Sequence, residues 1–158
     1  LFNRSCFAFN KHEVSQLPVK KSKVAVRHRY FYYLVLEWKV DGRSWFLMKK
    51  RSNKDIWRNL YDFPLIETAE KLDPLDALQQ SQYQSSLQGA ATKVLNISTA
   101  YRHQLTHQQI HALFIHMIVD KKIKLPDLNS LTLVEQNEII NYPVPRLIER
   151  YLQAQELI

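Results

Sequence analysis

The sequence predicts an α+β domain, a mixed β-sheet with helices packed on its faces, on three observations. A long alternating segment, residues 23–40, meets a sharp turn at Asp41-Gly42 and returns over Trp45 to Met48. A second apolar and β-branched run, Ile110 to Val119, follows much later in the chain. Helix-opening chemistry stands between and after these, at Asp73-Pro74 and at Pro145. Strands and helices are interspersed, the pattern of a layered domain in which helices cover a sheet. At 158 residues, 46% hydrophobic and 23% charged, the chain is the size of one domain and can bury a real core.

The elements follow in order. Leu1 to Phe9 sets Cys6 among Phe2, Phe7 and Phe9, and residues 10–22 are polar, carry Pro18 and have no apolar period, so they read as a linker. Residues 1–22 are therefore expected to stand apart from a domain made of residues 23–158, and the start at Leu1 is read as a piece of something longer. In the first strand Val24, Val26, Tyr30, Tyr32, Leu34, Leu36, Trp38 and Val40 share one parity, which predicts a strongly amphipathic strand. Asp41 and Gly42 both tolerate positive φ, as a two-residue hairpin turn requires. Lys49-Lys50-Arg51 ends the return strand as a phosphate-facing corner or a solvated edge.

Residues 56–67 hold Trp57, Tyr61 and Phe63 ahead of Pro64 and read as an irregular loop leading into a short strand, with core packing favoured over base stacking. Asp73 is a helix cap with Pro74 at the first helical position; Leu75, Leu78 and Leu87 give an apolar face, and Gly89 ends the helix. Thr92–Ala100 and the run from Gln108 to Val119 are expected strands, the second a central one, with Tyr101–His107 displayed at a hairpin tip between them. Thr132 to Glu135 fits a capping box and predicts a short helix that fails before Pro143. Pro145 opens a last helix with Leu147, Ile148, Tyr151, Leu152 and Leu157 as its stripe.

Composition narrows the function classes. Two glycines, Gly42 and Gly89, cannot build a Gly-rich phosphate loop or a dinucleotide fingerprint. One cysteine excludes an internal disulfide framework and makes a cytosolic setting the expectation; no apolar run nears the roughly 18 residues of a membrane span. Residues 1–60 carry 14 Lys+Arg against 4 Asp+Glu, whereas residues 61–158 carry 8 against 11. Such polarity favours a surface that meets polyanions, with a merely solvated basic face as the bland alternative. His103, His107, His111 and His116 tempt a metal reading, but His111 and His116 differ in parity and point to opposite faces of a strand. There is no nucleophile elbow, no HExxH and no paired carboxylate, so the residues read as a non-catalytic polar reader on a basic domain.

Five stretches, in order, resemble the C-terminal domain of MutY, the adenine DNA glycosylase that removes adenine mispaired with 8-oxoguanine. They are Arg4-Ser5-Cys6-Phe7-Ala8-Phe9, Leu17-Pro18-Val19-Lys20 through Arg29-Tyr30-Phe31, Lys50-Arg51 with Ile56 to Pro64, His103-Gln104-Leu105-Thr106-His107, and Tyr142-Pro143 through Leu152. The resemblance implies a Nudix-like fold without the acid-rich REUxEExGU helix, since the region from Ile66 to Gly89 is rich in Gln and Ser. It implies that residues 1–22 are the tail of the glycosylase domain and its linker, with Cys6 one ligand of a 4Fe-4S cluster completed upstream in the full-length protein. No cofactor is expected in this chain itself, and the catalytic carboxylates would also lie upstream. The implied partners are duplex DNA with 8-oxoguanine opposite adenine and the protein's own N-terminal glycosylase domain, in a bacterial cytoplasm at the nucleoid. By position Leu105 would be an apolar wedge, Thr106 the reader of the lesion and His107 its polar neighbour. Lys20, Lys21, Lys23, Lys49, Lys50, Arg51 and Arg58 are the candidate phosphate contacts. The alternatives are a Nudix-type hydrolase of a damaged nucleotide and a protein-interaction module with a basic face.

Overall fold

The computed structural model describes residues 5–15, 25–52, 54–84, 87, 93–120 and 131–158. Its frame is an eight-stranded mixed sheet with β1 (Arg27–Val40) as the spine. One edge of β1 runs parallel to β7 (Gln108–Ile118), from the Arg27–Gln108 pair to the Glu37–Ile118 pair. The other edge is shared between two antiparallel partners. Tyr30 to Tyr33 pair with β4 (Leu65–Thr68), and Glu37 to Val40 pair with β2 (Arg43–Lys50). From β2 the sheet continues to β3 (Tyr61–Asp62) and to β8 (Leu131–Glu135). On the far edge of β7 lie β5 (Lys93–Ile97) and β6 (Tyr101–Gln104), one after the other.

The sheet is covered on both faces. Phe31, Tyr33 and Val35 of β1, with Ile110, Ala112 and Phe114 of β7, pack against Leu147, Ile148, Tyr151 and Leu152 of α3 (Arg146–Ala154). The Phe114 and Tyr151 rings stack at 3.9 Å between centroids. Tyr32, Leu34 and Leu36, with Ile115 and Met117, meet Ala77 of α2 (Pro74–Gln79) and Tyr83 and Leu87 beyond it. Each large apolar side chain contributes roughly 1.5–3 kcal/mol on burial, and β1 and β7 together supply 11 of the 24 buried hydrophobic residues among those described. A four-residue helix, α1 (Phe7–Asn10), precedes β1 in the chain and buries none of its residues.

Several expectations hold. Asp41 (φ 50°) and Gly42 (φ 75°) form the turn between β1 and β2. The Asp73 carboxylate caps α2 by accepting from the Leu75 amide at 2.9 Å. Leu147, Ile148, Tyr151 and Leu152 of the predicted stripe are the buried face of the last helix, while Leu157 lies beyond its end at Ala154 and packs partly buried against the same core, and β7 is central. The expected end of the second helix at Gly89 lies outside the described residues.

Others are corrected. The strand expected to be amphipathic is buried on both sides from Phe31 to Leu36, because a layer packs on each face and parity no longer separates core from solvent. The capping-box segment is not a helix but β8: Leu131 to Glu135 pair with β2, whose open edge satisfies their backbone groups. A 3-10 helix, Gln136–Asn141, follows it. The strand expected over Thr92–Ala100 stops at Ile97. There the Ser98 amide donates to the Phe114 carbonyl and the Ser98 hydroxyl accepts from the Phe114 amide, both at 3.0 Å, and the chain starts again as β6. Tyr101 to Gln104 are therefore strand, and the exposed tip is shorter than expected.

Candidate functional site

The β6–β7 hairpin is paired from Tyr101–Ala112 to Gln104–Gln109. One rung further on, the Leu105 amide donates to the Gln108 carbonyl at 2.8 Å. Only Thr106 and His107 project past that rung, and both are exposed. The tip is held on two sides: the Arg27 amide donates to the His107 carbonyl at 3.0 Å, and Gln104 Nε2 donates to the Leu105 carbonyl at 2.7 Å. Thr106 is exposed and makes no hydrogen bond or ion pair to another described residue. Leu105 shares the parity of Tyr101 and is half-buried against the core, so its side chain supports the tip from beneath more than it projects as a wedge.

Behind the tip stands a residue that the sequence reading passed over. Arg29 is 5% exposed. Its Nε and Nη2 donate to the Glu67 carboxylate at 2.7 and 2.8 Å, and its Nη1 and Nη2 to Asp55 at 3.0 and 2.6 Å. Nη1 also donates to the Gln108 side-chain oxygen at 3.0 Å, which ties this double fork to the first residue of β7. These hydrogen bonds raise the Arg29 guanidinium further above its already high value, and Arg29 in turn holds the Asp55 carboxyl below the usual carboxylate range. In the sequence Arg29 stands at the parity opposite to the predicted apolar stripe, so nothing local marks it as buried.

The basic residues divide. Arg51, a candidate phosphate contact, is turned inward. Its guanidinium donates to Asp62 at 2.6 Å and to the Ile56 carbonyl at 3.1 Å, and lies 3.4 Å from Asp55. Asp62 is 2% exposed, and burial pushes its carboxyl up to about 6 against the pull of Arg51. A guanidinium committed to two carboxylates is a structural anchor, which corrects the expectation for Arg51. Lys49 and Lys50 end β2 opposite β3, with the Lys50 ammonium 5.9 Å from the Tyr61 ring. Arg58 is exposed in the turn over residues 56–59, where Trp57 and Asn59 have positive φ. The Trp57 ring meets His103 of β6 edge-on at 5.5 Å, so this turn lies against the hairpin. Lys20, Lys21 and Lys23 lie outside the described residues.

Among the described residues the histidines of β7 are kept apart. His111 faces Tyr30 on one side of the sheet and His116 faces Phe46 and Glu37 on the other, as parity required. Glu37 accepts from Ser44 at 2.6 Å and pairs with His116 at 2.9 Å, so the carboxylate lies between hydroxyl and imidazole, and His116 is not placed to take the Ser44 proton. After β4, α2 brings a single acid, Asp76, and no group of three or more His, Cys, Asp or Glu side chains that could hold a metal occurs among the described residues. Cys6 is exposed at the cap of α1; an iron–sulfur cluster of the kind the resemblance implies needs four thiolates, which this chain with one cysteine does not supply by itself. No helix among the described residues is long and apolar enough to cross a membrane.

The family described as NUDIX domain matches residues 33–154. Among solved structures, a Nudix hydrolase from M. smegmatis, RenU, superposes with a TM-score of 0.59 at 13% identity, over 84% of this chain and 89% of that one. The E. coli ORF135 protein follows with a TM-score of 0.57 at 14% identity, over 83% and 90%. The C-terminal domain of mouse MUTYH, solved in complex with human PCNA, superposes with a TM-score of 0.53 at 14% identity, over 81% and 87%. At these identities the likeness shows the fold. No curated protein matches the sequence.

Proposed function

The chain belongs to the Nudix domain family, and we propose that it reads a damaged base in DNA instead of hydrolysing a nucleotide. In this reading it is the lesion-recognition domain of an adenine DNA glycosylase, probing 8-oxoguanine opposite adenine while a separate N-terminal domain excises the adenine. The cluster to which Cys6 would contribute, and a place in the cytoplasm at the nucleoid, belong to the same proposal.

The observation that carries it is the tip itself: Thr106 and His107 exposed on a hairpin that Arg27, Gln104 and Arg29 hold in place. 8-Oxoguanine differs from guanine by an N7–H donor and an O8 acceptor. A hydroxyl accepts and an adjacent amide donates, so Thr106 alone can satisfy both. A pre-held tip keeps the ordering cost of that contact small. Hydrolysis is the second reading, favoured by the hydrolases among the structural relatives, but it requires carboxylates around magnesium, and the helix after β4 offers only Asp76.

Two assays on this chain separate the readings. Binding to a short duplex holding 8-oxoguanine opposite adenine should be detectable at low salt and weaken steeply as salt rises. Nucleoside triphosphates with magnesium should release no phosphate above background. Magnesium-dependent release without duplex binding would overturn the proposal.

A further inference from the structure

We propose that His28, His111, Arg102 and Lys71 form a phosphate-binding site that takes up a proton when it engages duplex DNA, beside the hairpin tip. This rests on the lesion-reading function and adds how the same surface holds the backbone.

His28 Nδ1 and His111 Nε2 are 3.0 Å apart, and their rings stack at 5.3 Å with 26° between planes. Tyr30 stacks on His111 at 5.0 Å. A contact this short between two imidazoles requires one proton between them, so the neutral pair keeps one further N–H and one bare nitrogen. Adding a single proton turns the bare nitrogen into a second donor and gives the pair a positive charge. Two N–H donors around one charge are a match for phosphate oxygens.

The surroundings are cationic. His111 pairs with Tyr30 of β1 on one side and with Arg102 of β6 on the other, so these side chains share a face of the sheet. Lys71, in the segment between β4 and α2, adds a further positive charge felt by His111. The His111 imidazole is held below its ordinary value, first by burial and then by His28, Arg102 and Lys71, with no carboxylate among the causes. His28, Arg102 and Lys71 are exposed. An imidazole held neutral by burial and neighbouring cations until an anion arrives couples phosphate binding to proton uptake.

The placement suits DNA. His28 follows Arg27, whose amide holds His107, and His111 is four residues along β7 from that same tip. At about 3.3 Å per residue the separation is roughly 13 Å. That separation is short against the length of a duplex site, so one bound duplex can meet both the tip and the histidine pair.

The test is the affinity of this chain for a fluorescent duplex with 8-oxoguanine opposite adenine, at fixed ionic strength, from about pH 5.5 to about pH 8. The wild type should tighten by up to roughly tenfold per unit as pH falls through the uptake range. His28→Gln, at an exposed position, should flatten that dependence with an unchanged melting temperature. Arg102→Gln and Lys71→Gln should each weaken binding and lower the salt slope by about one. A wild-type affinity independent of pH, or a His28→Gln slope equal to that of the wild type, would overturn the site. Preference for the lesion over guanine reports separately on Thr106: that preference kept with no pH slope sinks only the phosphate site, and a slope kept with no preference sinks only the lesion reading. Absence of duplex binding sinks both.

Discussion

Arg29 shows how much one buried residue organises. Its guanidinium joins β1, the loop at Asp55, β4 and the start of β7, so the tip inherits its position from an ion pair beneath it. Replacing Arg29 with Met leaves Glu67 without its cation and Asp55 with only Arg51, 3.4 Å away, and should cost on the order of 3 kcal/mol, read from urea unfolding. A cost within error of zero would show that the fork is ornamental. The neighbouring acids predict opposite responses to pH. The Asp55 carboxyl lies below its unfolded value of 3.8, so its contribution is present above that pH and is lost as pH falls through the folded value. Asp62 is raised from 3.8 to about 6, so the folded state holds its proton more tightly. Its contribution is full below 3.8 and declines as pH climbs to about 6. Asp62→Asn should therefore flatten the fall in urea midpoint that the wild type shows across that window.

At the scale of elements, Ser98 ends β5 by giving the buried Phe114 amide its acceptor. Ser98→Ala leaves that amide unpaired and should cost about 1–3 kcal/mol, with faster hydrogen exchange at Phe114 as its signature. This break is also where reading the sequence fell short. A continuous strand to Ala100 was expected because Thr92 to Ala100 looks like a strand, and nothing local shows that a serine hydroxyl will replace one rung of the ladder. The capping-box pattern failed for a related reason: Thr132 and Glu135 have the right spacing for a helix start, but the open edge of β2 offered pairing instead. What was legible was governed by local chemistry. Asp41-Gly42 demanded a turn, Asp73-Pro74 a capped helix, and the Leu147–Leu152 stripe a helix face. The His28–His111 pair was not legible, because residues 83 apart in sequence meet only through the parallel pairing of β1 and β7.

At the scale of the whole molecule, a Nudix fold with no clustered metal ligands among its described residues keeps the scaffold and presents a short polar hairpin on it. The excess of 14 Lys+Arg over 4 Asp+Glu in residues 1–60 contributes attraction to a polyanion and little sequence selectivity. Arg51 must be subtracted from that surface, since Asp62 and Asp55 engage it, while Arg58 and Lys50 remain exposed. In the proposed lesion reading, selectivity falls to the tip and to Thr106. The most direct measurement is made in the complete glycosylase of which this chain is proposed to be the recognition domain: the ratio of adenine excision opposite 8-oxoguanine to excision opposite guanine, for the wild type and Thr106→Ala. The account predicts that the variant still excises adenine and loses on the order of 1–3 kcal/mol of that preference. An unchanged ratio would contradict it.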